Sequence, residues 1–123
     1  MKTQGEMQSE IGEIIAKFLQ ENMGRGPTSI KTNIIDDIAV VRLTGILTET
    51  EKRLAISEVG KELLISVRRH LMNSSGKDYI SKLFLSKFDT PIINFFYDCN
   101  PLSNEEVFIC VMLKPIFFRI KMR

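Results

Sequence analysis

Apolar residues recur at three- and four-residue steps through Met7, Ile11, Ile14, Ile15, Phe18 and Leu19, with Glu10, Glu13, Lys17, Gln20 and Glu21 between them. One apolar stripe on an otherwise polar cylinder predicts an amphipathic helix over about residues 7–22. Gly24 suits the left-handed residue that closes a helix, and Pro27 prevents a restart. From Ser29 the period falls to two: Ile30, Thr32 and Ile34 alternate with Lys31 and Asn33. Asp36 and Asp37 interrupt the pattern, and residues 38–43 resume it. Two such runs joined by a short acidic turn read as a β-hairpin.

Gly45 ends the second run. Thr48 and Glu51 then have capping-box spacing, in which each side chain satisfies a free backbone N–H at a helix start. Leu54, Ala55, Ile56 and Val59 follow, and Gly60 is expected to break or kink the helix. Leu63, Leu64, Val67 and Leu71 form the next stripe. Ser74, Ser75 and Gly76 weaken it, and Ile80, Leu83 and Phe84 restore it at a compatible phase. The expectation is one long helix, kinked near Gly76 and stopped at Asp89, Thr90 and Pro91. Residues 92–97 are β-branched and aromatic, and residues 107–113 are apolar throughout. Asn100, Pro101, Leu102, Ser103 and Asn104 between them are turn formers, and Pro115 ends the second run.

The order α-β-β-α-α-β-β predicts an α+β fold: a mostly antiparallel four-stranded sheet from two hairpins, with a long helix packed on it. The whole chain, residues 1–123, reads as a single domain, with residues 114–123 as a basic and apolar tail. The second hairpin is apolar on both faces. Leaving one face in water would forfeit about 1.5–3 kcal/mol per large side chain, so a second subunit is expected over it. Phe95, Phe96, Phe108, Cys110 and Met112 are the candidate residues of that homodimer interface.

Composition narrows the function classes. Hydrophobic residues at 44% and charged residues at 26% are globular values. A net charge of +2 is too small to argue for nucleic acid, although residues 61–123 hold ten basic against six acidic side chains. Cys99 and Cys110 are the two cysteines, too few for a secreted disulfide scaffold, and the first residues are polar and do not read as a signal peptide. The expected location is cytoplasmic, peripheral to the inner face of the membrane if the tail makes contact with it.

Candidate chemistry is sparse. His70 is the single histidine, which excludes sites that need two imidazoles. Arg68, Arg69 and His70 sit beside the Leu64, Val67, Leu71 stripe and read as the solvated edge of the long helix. Asp36, Asp37 and Asp98 are weighed as metal ligands and read instead as turn formers, so no metal and no cofactor is predicted. Nothing marks Cys99 or Cys110 as an activated thiol, so an enzyme of unfamiliar type ranks last among the readings and no catalytic residue is assigned. Gly24, Arg25 and Gly26 form the candidate anion-binding turn, with a helix stop as the more ordinary reading. Phe117, Phe118, Arg119 and Lys121 in the tail are candidates for membrane or partner contact.

A set of local strings carries a resemblance: Gly24, Arg25, Gly26 and Pro27; Ile35, Asp36 and Asp37; residues 43–48; Glu51 with Leu54; and Gly60 with Arg68 and Arg69. Together they resemble the MpsC-like family of small bacterial proteins, over residues 11–113. The family is named for a proposed part of a sodium-translocating, membrane-potential-generating system, and it offers no catalytic residues to carry over. The resemblance implies a non-enzymatic accessory or regulatory module acting with a membrane cation or bicarbonate transport system. Its expected partners are a second copy of itself and a membrane transporter subunit. The alternative is a sensor that binds a small anion at the turn of residues 24–27.

Overall fold

A computed structural model describes residues 2–116. Helix α1 spans Gln4–Met23 and starts earlier than the apolar stripe, because Thr3 and Glu6 form a reciprocal capping box. It ends at Gly24, whose φ of 76° is the left-handed conformation the sequence calls for. Strands β1 (Ser29–Ile35) and β2 (Ile38–Thr44) form the first hairpin around Asp36, which itself takes a positive φ. Helix α2 (Glu49–Leu54) carries the Thr48 and Glu51 capping box.

The chain breaks between α2 and α3 (Glu58–Leu71), several residues before the expected break at Gly60. Ser57 caps α3 by accepting the Gly60 N–H, so Gly60 lies in the first turn of that helix. The reason for glycine there is close approach: a Cβ would stand 1.9 Å from the Leu54 carbonyl oxygen. A π-helical segment, Met72–Gly76, joins α3 without interruption to α4 (Lys77–Phe88). Ser74 Oγ bonds the His70 carbonyl at 2.6 Å within this segment. Gly76 lets α1 come close, since a Cβ would already touch the Phe18 ring.

Strands β3 (Ile92–Asn100) and β4 (Glu105–Met112) complete an antiparallel sheet of order β1-β2-β4-β3. The two hairpins thus meet through β2 and β4, and α1 and the α3–α4 rod cover one face. Six residues of the α1 stripe, Ile34, Val41, Leu43, Phe108 and Met112 from the sheet, and Ile80, Phe84 and Phe88 from α4 make the core. The exposed edge of β1 is blunted by α1, where Gln4 donates to the Ile34 carbonyl and Gln8 accepts the Ile34 N–H.

Burial along α3, the π segment and α4 falls on every fourth residue: Gly60, Leu64, Arg68, Met72, Gly76, Ile80, Phe84 and Phe88. A pure α-helix, at 3.6 residues per turn, would carry such a series steadily around its surface. The wider π turn in the middle offsets part of that drift.

Candidate functional site

The polar centre of the molecule is Arg68, which is fully buried. The sequence reading put it at a solvated edge. Its position four residues from both Leu64 and Met72 instead turns it to the sheet, while Leu63 and Val67 of the expected core stripe are each 54% exposed. Arg68 Nε and Nη2 donate to the two oxygens of Glu51 at 3.0 and 3.3 Å, Nη1 donates to Glu106 Oε2 at 3.1 Å, and Nη2 also donates to the Ile46 carbonyl at 3.2 Å. The Tyr97 hydroxyl donates to the same Glu106 oxygen. Glu51 meanwhile accepts from the Thr48 N–H, so one carboxylate caps α2 and clamps Arg68. Asn104 ties the adjoining loop, its Oδ1 accepting from the Ile46 and Leu47 N–H groups at 2.8 and 2.9 Å.

Burial alone would lower the Arg68 pKa, but Glu106, Tyr97 and Glu51 outweigh it and hold the guanidinium charged. Burial pushes the Glu106 carboxyl up, against the opposing pull of Arg68 and the Tyr97 hydrogen bond. Burial, then Glu106, pushes the Tyr97 phenol well above its ordinary range. Glu106 Oε1 is buried and has no hydrogen-bond partner among the described residues. Every other polar atom of the cluster is engaged by the fold itself, so the arrangement is a tie between α2, α3, β3 and β4.

Both thiols face inward. Burial pushes Cys110 up to about 12 and raises Cys99 as well. Neither has the depressed pKa of a reactive cysteine. An alkaline destabilisation follows. The unfolded Cys110 thiol ionises near 9.0, whereas the native thiol keeps its proton until about 12. Across that window the unfolded chain binds fewer protons than the native one, so stability falls as pH rises. The expected slope is about 1.4 kcal/mol per pH unit from Cys110, with Tyr97 adding in the same direction above about pH 10. Urea unfolding of the protein beside Cys110→Ala, at several pH values above 8, checks this. Equal pH dependence in the two proteins would contradict it.

The candidate anion turn has its polar groups in internal use. Arg25 Nε donates to the Gly45 carbonyl at 3.0 Å and the Gly26 N–H to Gln20 Oε1 at 2.9 Å, while Gly24 closes α1. Asp98 forms a bidentate pair with Arg69. Among the described residues no group of three or more His, Cys, Asp or Glu side chains could hold a metal.

The interface candidates divide between the two sides of the sheet. Phe108, Cys110 and Met112 are fully buried against the helices, and Phe95 is half-buried on that side, with its ring 5.9 Å from that of Phe108. These four pack within the chain and are not available to a second subunit as the sequence reading expected. Their strand alternates strictly in burial, a pattern its uniformly apolar sequence hides. Phe96 is 56% exposed on the opposite, open face. Phe117, Phe118, Arg119 and Lys121 lie outside the described residues.

That open face has no helix over it among the described residues. Its strand register sets it out in rows. Lys31, Arg42, Val107 and Asp98 stand in one row, from the β1 edge to the β3 edge. The row beside it is Asn33, Val40, Ile109 and Phe96, and the next is Ile35, Ile38, Val111 and Asn94. On the other side of the first row, Glu105 pairs with Arg42 at 2.8 Å. A second apolar surface runs along the outside of α2 and α3, where Ile56 and Val59 are 83% and 78% exposed and continue into Leu63 and Val67.

The class this defines is a two-layer α+β protein with an ionic tie in its core and apolar residues exposed on both layers. The chain belongs to the MpsC family: the family model described as "Na+-translocating membrane potential-generating system (MpsC)" matches residues 3–114. It is similar to uncharacterized protein YbcI of Bacillus subtilis (strain 168), at 30% identity over 88% of this chain and 86% of that protein. It is also similar to uncharacterized protein YrhF of the same organism, at 33% identity over 87% of this chain and 88% of that one. No solved structure matches it. No helix among the described residues is long and apolar enough to cross a membrane.

Proposed function

We propose that this protein is a non-enzymatic accessory or regulatory module of a membrane cation-transport system, acting by protein–protein contact at the cytoplasmic side of the membrane. The observation that carries the reading is the exposed stripe of Ile56, Val59, Leu63 and Val67 in a chain whose family is described by a sodium-translocating system. Without a crossing helix among the described residues, transport itself falls to other subunits. A row of four aliphatic side chains on a rigid helix suits an apolar groove on such a subunit. Arg68 fixes the inner side of the same helix, so the stripe is presented on a braced element.

Affinity capture from detergent-solubilised membranes of the source cells tests this. The tagged protein is expected to recover a cation-transport subunit, and Leu63→Asp/Val67→Asp is expected to lose it. Both sites are exposed, so each substitution should leave stability within about 0.5 kcal/mol. Recovery of no transport subunit, or equal recovery by the variant, would contradict the proposal.

A further inference from the structure

We infer that the open face of the sheet is covered by the same face of a second copy of this chain, with the two sheets related by a two-fold axis running along the strands between β2 and β4. This stands apart from the membrane partner and concerns the opposite layer of the molecule. The motivation is the distribution of charge on the face. Lys31 and Arg42 occupy the β1–β2 half, and Glu105 and Asp98 the β4–β3 half. A two-fold along the strands exchanges the halves while keeping each row at its own level. Lys31 then stands over Asp98 of the second copy, Val40 over Ile109, and Ile38 over Val111.

A two-fold across the strands gives a worse match. It lays each strand over itself and reverses the rows, so Arg42 would be pressed onto Val40. That desolvates a charge against an apolar surface, which is strongly unfavourable. A lipid surface is also a poor occupant, because anionic headgroups attract basic faces and this one balances two cations with two carboxylates. Two flat sheets stacked about 10 Å apart are, by contrast, an ordinary packing.

The charges set the arrangement more than the affinity, since Arg42 is already paired with Glu105 and Asp98 with Arg69. Attraction comes from Phe96, Ile109, Val40 and Val111. Four strands of about seven residues give a footprint of roughly 20 by 23 Å, near the lower end of specific interfaces, so a micromolar dimer is expected.

Sedimentation of the full chain over a range from low micromolar to submillimolar tests the inference. The weight-average mass should rise from monomer to dimer. Phe96→Asp, at an exposed position, should weaken association about tenfold or more with circular dichroism unchanged. Lys31→Glu should weaken it about threefold to tenfold, and adding Asp98→Lys in the same chain should restore most of the loss. A monomer at every concentration, or association indifferent to Phe96→Asp, would overturn the interface. Failure of the second charge change to rescue the first would overturn the axis. A monomer that binds anionic phospholipid vesicles through Phe96 would assign the face to lipid and overturn the proposal as well.

Discussion

Arg68→Ala is expected to cost about 3–5 kcal/mol of folding stability, a large part of the roughly 5–15 kcal/mol that holds a domain of this size. The cost lies in what the substitution leaves behind more than in the attraction it removes. Glu106 is fully buried, and without Arg68 its carboxylate keeps the Tyr97 hydroxyl as its remaining printed partner. Glu51 loses two bonds while still capping α2, and the Ile46 carbonyl loses a donor. Arg68→Lys keeps the charge but not the planar fork that reaches three acceptors, so an intermediate loss is expected. Replacing Arg68 and Glu106 together by apolar residues of similar volume should recover much of the deficit, because no unpaired buried charge then remains. Urea unfolding of the four proteins decides the matter. A loss below about 1 kcal/mol for Arg68→Ala would show that the tie is not structural.

Phe108→Ala should cost a similar 3–5 kcal/mol, and the loss should not depend on protein concentration. Phe108 is fully buried in the middle of the sheet, with the Tyr97 and Phe95 rings 4.9 and 5.9 Å away on β3. Removing it opens a cavity between β4 and the helices that neighbouring rings can only partly fill. Phe96→Ala, two strand positions from Tyr97's neighbours but on the other face, should change monomer stability by about 0.5 kcal/mol or less. Thermal melts of both variants at two well-separated concentrations separate core from interface. A Phe108→Ala loss that vanishes on dilution would return Phe108 to an intersubunit role.

The hairpins, the α1 stripe and the Gly24 stop were legible because each rests on local rules: period, capping and turn chemistry. The second hairpin's strands were legible as strands, but not which face turned inward. In residues 107–113 every position is apolar, so alternation carries no phase information, and the inward face is chosen by the partner strands and helices. Arg68 was missed for the opposite reason. A charged residue between two apolar ones on a helix usually marks the wet side, and here the tie to Glu51 and Glu106 reverses that rule. Neither glutamate is near Arg68 in sequence. The available signal was spacing: Gly60, Leu64, Arg68 and Met72 lie four apart, whereas the stripe of Leu63, Val67 and Leu71 fits a helix equally well and is apolar throughout. Gly60 was read for its flexibility, when the relevant property is its lack of a Cβ beside the Leu54 carbonyl.

The π segment makes the length of the rod from Glu58 to Phe88 non-negotiable. A single deletion at Ser74 or Ser75 would let the wide turn relax to ordinary α geometry and rotate everything beyond it by about 100°. Ile80, Phe84 and Phe88 would leave the core together, while Leu64 and Arg68 stayed in place. Most surface helices absorb the loss of one residue by fraying at an end. This one would be expected to lose its cooperative melting transition, so length changes in relatives should concentrate in the loops and spare residues 60–88.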